Sequence, residues 1–127
     1  MTYEGMFVRH PGIHKGTVLW LHGLGEDLAL LPRLLQMAVP DSIRIVAPQA
    51  PIRAVTCLQG KDQRSWTDCF RRDAELDMED NHKLSKEARI ACDLIHSYLD
   101  HETRSIDSSK IVLAGSGQGA AMAICAG

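Results

Sequence analysis

Hydrophobic residues in this chain fall into short unbroken runs, separated by stretches that carry a helical period. Thr17-Val18-Leu19-Trp20-Leu21 is apolar and stops at His22-Gly23-Leu24-Gly25. Such a run, bounded by glycine, predicts a strand buried on both faces, as in a parallel sheet. Ile43-Arg44-Ile45-Val46-Ala47, ended by Pro48, and Lys110-Ile111-Val112-Leu113-Ala114 repeat the pattern. A short strand is predicted around Met6-Phe7-Val8. Leu28 to Met37 reads as a helix, with Asp27 as its N-cap and Pro32 tolerable only in the first turn. Leu84, Ala88, Ala91, Cys92, Ile95, Tyr98 and Leu99 fall at i, i+4, i+7, i+8, i+11, i+14 and i+15, one face of a longer helix. Asn81 is its expected cap, and Lys86, Glu87, Arg89 and Asp93 occupy the other face. Residues 48–68 hold two prolines, a glycine and no clear period, and read as a loop. The last segment, Ala120 to Ile124, reads as a helix start rich in small residues.

The order strand–helix–strand–loop–helix–strand–tight turn–helix predicts an α/β fold with a mainly parallel sheet and helices on both faces. The 127 residues suit one domain, 1–127. A hydrophobic fraction of 45% excludes global disorder. A net charge of -2 argues against a nucleic-acid partner. The longest apolar runs fall short of the ~18 residues of a transmembrane segment. The start, Met1 to Gly5, lacks an apolar region of the signal-peptide kind, so a cytoplasmic location is expected. Cys57, Cys69, Cys92 and Cys125 form no Cys-x-x-Cys and read as reduced, buried small hydrophobes. The acids from Asp73 to Asp80 do not make a calcium loop, because Met78 and Leu84 stand where glycine and glutamate are required. A solvated acidic loop is expected instead. His10, His14, His82, His96 and His101 lack metal-ligand spacing, so neither metal nor cofactor is expected.

The candidate chemistry lies in two glycine-rich turns after apolar strands, His22-Gly23-Leu24-Gly25 and Gly115-Ser116-Gly117-Gln118-Gly119. At the carboxyl ends of strands in an open α/β sheet, such turns face ligands. Gly115-x-Gly117-x-x-Ala120 fits the dinucleotide fingerprint, but the acid needed about 20 residues on is absent. The same turn has the frame of a nucleophile elbow, G-x-S-x-G, with Gly117 at the serine position.

With these turns, Ala47-Pro48-Gln49-Ala50-Pro51-Ile52-Arg53-Ala54-Val55-Thr56 and Ser65-Trp66-Thr67-Asp68 complete a set of four stretches. In this order the chain resembles the carboxylesterase and acyl-protein thioesterase family of α/β-hydrolases, from about Thr17 to its end, a stretch that corresponds to the N-terminal part of a family member only. The resemblance implies acyl ester or thioester substrates. It implies that Leu24 and Gln118 supply backbone N–H groups to an oxyanion hole, each worth about 2.7–4 kcal/mol in other hydrolases. It places His22, Gly23, Gly25 and Trp66 in the substrate-binding surroundings, with Trp66 and the loop from Arg53 bordering an acyl pocket. Gly117 stands at the nucleophile position, and the family's later acid and histidine have no counterpart. Ser116 is one residue early for a nucleophile, and Cys125 reads as a core thiol.

The chain is therefore expected to be inactive as it stands, a truncated fragment or a pseudo-enzyme; the alternative is a non-catalytic acyl- or protein-binding module. The strand 110–114 is central in complete family members. Its outer edge is expected to be unpaired here, with Val112, Met122 and Ile124 lacking part of their cover, which invites self-association.

Overall fold

The computed structural model describes residues 7–26, 30–70 and 78–127. Four strands form the main sheet: β1 (Phe7–Arg9), β2 (Gly16–Leu21), β3 (Ile43–Ala47) and β6 (Ile111–Gly115), in the order β1-β3-β2-β6. β2 runs parallel to both β3 and β6, and β1 is antiparallel to β3. The three predicted apolar strands are thus neighbours in one mainly parallel sheet.

The pleat sends alternate side chains to opposite faces. Leu19, Leu21 and Val46 face α2 (Met78–Glu102) and α3 (Gln118–Ala126), packing with Ala91, Ile95, Tyr98, Met122 and Ala126. Trp20, Ile45 and Ala47 face α1 (Leu31–Ala38), where Leu35 meets them. Helices therefore cover both faces, as the pattern of elements predicts. Pro32 lies in the first turn of α1, where its missing N–H costs nothing. Leu19, Leu21 and Ile95 are fully buried, and each such side chain contributes roughly 1.5–3 kcal/mol.

Several expectations change. α2 begins at Met78, so Asn81 lies inside the helix and does not cap it. Asp27, residues 28–29 of the predicted first helix, Met6, and Asp73 to Asp77 of the acidic segment lie outside the described residues. The stretch read as a loop contains an antiparallel hairpin of β4 (Ile52–Val55) and β5 (Lys61–Arg64). Its turn is a 3-10 segment, Thr56–Leu58, followed by Gln59 and Gly60 with φ of 58° and 79°. Met122 is only 4% exposed, because its side chain faces the sheet from α3. Val112 and Ile124 are exposed, at 57% and 83%. Cys125 is also exposed rather than a core thiol, since it lies one position short of the buried Ala126.

Asp68 ties the hairpin to α2. One carboxylate oxygen accepts the Thr56 and Cys69 backbone N–H groups, both at 2.8 Å. The other accepts the Thr56 hydroxyl at 2.6 Å and Lys83 Nζ at 3.2 Å. Glu87, predicted on the solvated face, accepts the Asp68 N–H at 2.7 Å and lies 3.6 Å from the Arg53 guanidinium. Desolvation pushes the Asp68 carboxyl up, but the bonds from Thr56, Lys83 and Cys69 together outweigh it and hold its pKa below the usual 3.8. A depressed carboxylate contributes stability above its unfolded pKa and loses it as pH falls through the folded one. The melting temperature is therefore expected to fall as pH drops below about 4, and less steeply in Asp68→Asn, when followed by circular dichroism.

Candidate functional site

Leu21 pairs with Gly115 in the β2–β6 register, so the two glycine-rich turns leave the sheet side by side at the carboxyl ends of parallel strands. Only Ser116 and Gly117 separate β6 from α3. The Ser116 N–H donates to the Leu21 carbonyl at 3.2 Å, and the Gly119 N–H donates to the Ser116 carbonyl at 2.9 Å.

Three glycines permit this closeness. A Cβ on Gly115 would lie 2.7 Å from the Leu21 carbonyl oxygen and 2.6 Å from that of Gly119. A Cβ on Gly119 would overlap the carbonyls of Leu21 and His22. One on Gly23 would lie 2.9 Å from the Ser116 carbonyl oxygen. Gly117 differs: it adopts φ 54° and ψ -124°, and a Cβ there would meet only the Gly23 Cα, at 3.7 Å. There is room for a side chain at position 117 but a backbone that L-residues rarely tolerate. That combination is what a strained strand-to-helix elbow presents.

Gln118 opens α3, so its backbone N–H is among the first-turn donors that have no partner inside the helix. Its side chain crosses to the segment after β5. The Trp66 N–H donates to Gln118 Oε1 at 2.9 Å, and Gln118 Nε2 donates to Ser65 Oγ and the Thr67 carbonyl, both at 3.0 Å. Leu24 is half-buried in the first turn, and Gly25 has a φ of 74°.

His22 and Trp66 do not reach the surface; they are 2% and 0% exposed. The Ala50 N–H donates to His22 Nε2 at 2.9 Å, so the proton is on Nδ1, 3.0 Å from the Gly23 carbonyl. The indole N–H of Trp66 donates to the His22 carbonyl at 2.9 Å, and the two rings lie 5.4 Å apart. Both residues brace the turn from behind. The Ser116 hydroxyl donates to Glu26 Oε1. The bracing roles of Ser65, Thr67 and Glu26 were not read from the sequence, although Ser65 and Thr67 flank Trp66 in a quoted motif. Among the described residues no group of three or more His, Cys, Asp or Glu is placed to hold a metal ion.

The phospholipase/carboxylesterase family model matches residues 6–127. The chain belongs to that family. A phospholipase/carboxylesterase relative, acyl-protein thioesterase 1 of Mycosarcoma maydis, is 32% identical over 120 residues, covering 87% of this chain and 50% of the relative. Acyl-protein thioesterase 1 of Aspergillus fumigatus is 28% identical over 117 residues, covering 90% and 48%. Among solved structures, Zea mays acyl-protein thioesterase 2 superposes with a TM-score of 0.67 at 28% identity, covering 98% of this chain and 51% of that one. The chain therefore has the α/β-hydrolase fold and spans about half the length of the relatives it matches.

Two substitutions separate the elbow's requirements. Gly119→Ala should be severe, because the new methyl overlaps two carbonyls of β2's end. Gly117→Ala meets no clash and should cost only the backbone strain of a positive φ, about 1–3 kcal/mol. Urea unfolding of both variants checks the order; equal costs would contradict it.

Proposed function

We propose that this chain carries the oxyanion turn and elbow of an acyl ester or thioester hydrolase, with the nucleophile replaced, and is catalytically silent in acyl transfer. The single observation behind this reading is Gly117, which has the elbow's dihedral angles and no side chain to attack a carbonyl. The neighbouring backbone N–H groups of Leu24 and Gln118 remain the candidate oxyanion donors, and the acyl ester or thioester is the corresponding ligand class. Among the described residues, Ser116 is bound to Glu26 and both ring nitrogens of His22 are engaged, so neither replaces the nucleophile. Among the described residues, no histidine atom comes within 4 Å of a Cβ at position 117.

Turnover of a short-chain p-nitrophenyl ester and of an acyl thioester tests this. The protein should show no burst and no labelling by a fluorophosphonate. Gly117→Ser alone should not restore turnover, because a serine without an adjacent base is a poor nucleophile. A burst abolished by fluorophosphonate in the unaltered chain would contradict the proposal.

The same reading extends to association and location. β6 has a partner strand on one side only among the described residues, and Val112 and Ile124 add exposed apolar surface beside it. An edge of this kind takes a strand from another copy of the chain. Sedimentation velocity should give a mass that rises with concentration, and Val112→Lys with Ile124→Glu should shift it to monomer. A concentration-independent monomer would overturn the association. All four cysteines are free thiols, which suits the reducing cytoplasm as the place of action. Among the described residues no helix is long and apolar enough to cross a membrane.

A further inference from the structure

Two cysteines that take no part in the elbow are brought together by the packing of α2 on α3. Cys92 lies midway along α2 and Cys125 in the last turn of α3, and both are free thiols. The two helices bring Cα atoms within 8 Å of one another. Small residues make this approach possible. Ala91 of α2 and Ala126 of α3 share one core cluster, with Ala88, Cys92 and Ala123 packed against it. Helices that meet through small residues run about 8 Å apart, and their Cα atoms ride about 2.3 Å from each axis. Residues flanking such a contact come within the roughly 4.4–6.8 Å of Cα separation that a disulfide spans.

The register of the helices is fixed beside the thiols. His96 Nε2 donates to the Ala126 carbonyl at 2.8 Å. His96 lies one turn beyond Cys92 on the same face of α2, and Ala126 follows Cys125. Burial pushes the Cys92 thiol above its ordinary 9.0, and the neighbouring Cys125 and Asp93 push it the same way. A charge on Cys125 is therefore felt at Cys92. The two thiols also differ in access, since Cys125 is exposed and Cys92 half-buried.

We propose that Cys92 and Cys125 form a reversible oxidation site, in which Cys125 meets a peroxide and Cys92 resolves the product. The Cys125 sulfur attacks one oxygen of hydrogen peroxide, the O–O bond breaks, water leaves, and a sulfenic acid remains on Cys125. The Cys92 sulfur then attacks the sulfenic sulfur and the S–O bond breaks. A second water carries off the hydroxyl and the Cys92 proton. Two thiols are oxidised to a disulfide while one peroxide is reduced to two waters. Two molecules of glutathione reverse the step and leave as glutathione disulfide. The bond joins the last turn of α3 to the middle of α2, and so staples the helix that begins at the elbow.

Treatment of the full chain with hydrogen peroxide, followed by tryptic mapping without reductant, tests the inference. The expected product is a single chain in which peptide 90–104 is joined to peptide 111–127, with Cys57 and Cys69 still free. Reduced glutathione should release both peptides. The oxidised chain should melt roughly 5 °C or more above the reduced one by circular dichroism, because the link constrains the unfolded state. Cys125→Ser should lose both the link and the shift. Cys92→Ala should stop at a Cys125 sulfenic acid that dimedone labels. The mapping on the unaltered chain needs no variant. A link between chains through Cys125, a link to Cys57 or Cys69, or four thiols still free after peroxide would overturn the proposal. So would an intramolecular link between Cys92 and Cys125 that leaves the melting temperature unchanged or lowers it.

Discussion

The close approach of the β6–α3 turn to the end of β2 is the constraint on which the rest of the structure depends. Gly119 presses its Cα against the Leu21 and His22 carbonyls, and Gly115 lies against Leu21. The approach sets the two glycine-rich turns beside one another. It also starts α3 immediately after the sheet, so that Met122 and Ala126 reach the core. Any side chain at position 119 forces α3 away from β2 and separates the turns. The elbow's shape is thus imposed by packing around it, not by the residue at its tip.

A second layer fixes the first turn from behind. His22 receives the Ala50 N–H, Trp66 donates to the His22 carbonyl, and Gln118 holds the segment carrying Trp66. Buried polar groups of this kind are costly unless paired, and here they pair with one another across three segments. Asp68 continues the chain of contacts to α2 through Lys83 and Glu87. The two glycine-rich turns are therefore held in place around Gly117, which carries no side chain. A glycine also relieves the strain that a serine has to bear in that conformation.

β2, β3 and the long helix were legible because burial in the sheet, or along one stripe, writes a simple hydrophobic pattern; β6 carries the same apolar run, but none of its residues is fully buried, contrary to the expectation of burial on both faces. The run 17–21 and the spacing from Leu84 to Leu99 are direct consequences of that burial. The hairpin 52–64 was not legible. Lys61-Asp62-Gln63-Arg64 lies largely in solvent, so it carries no apolar alternation. Its signal was the turn, where Gln59-Gly60 accepts two positive φ values. At the site, the glycine frame was visible in the motif, but the buried positions of His22 and Trp66 were not. Polar and aromatic residues beside a ligand-facing turn read alike whether they meet the ligand or support the turn. The place of Cys125 on the outer side of α3 was missed because a run of small residues has no strong helical stripe.

A crystal structure of Gly117→Ser tests the central claim most directly, since it asks whether the surroundings or the residue set the elbow. The expected result is a positive φ at position 117, ψ near -124°, and the new Cβ about 3.7 Å from the Gly23 Cα. A turn relaxed to negative φ, with α3 starting elsewhere and the two glycine-rich turns apart, would contradict it.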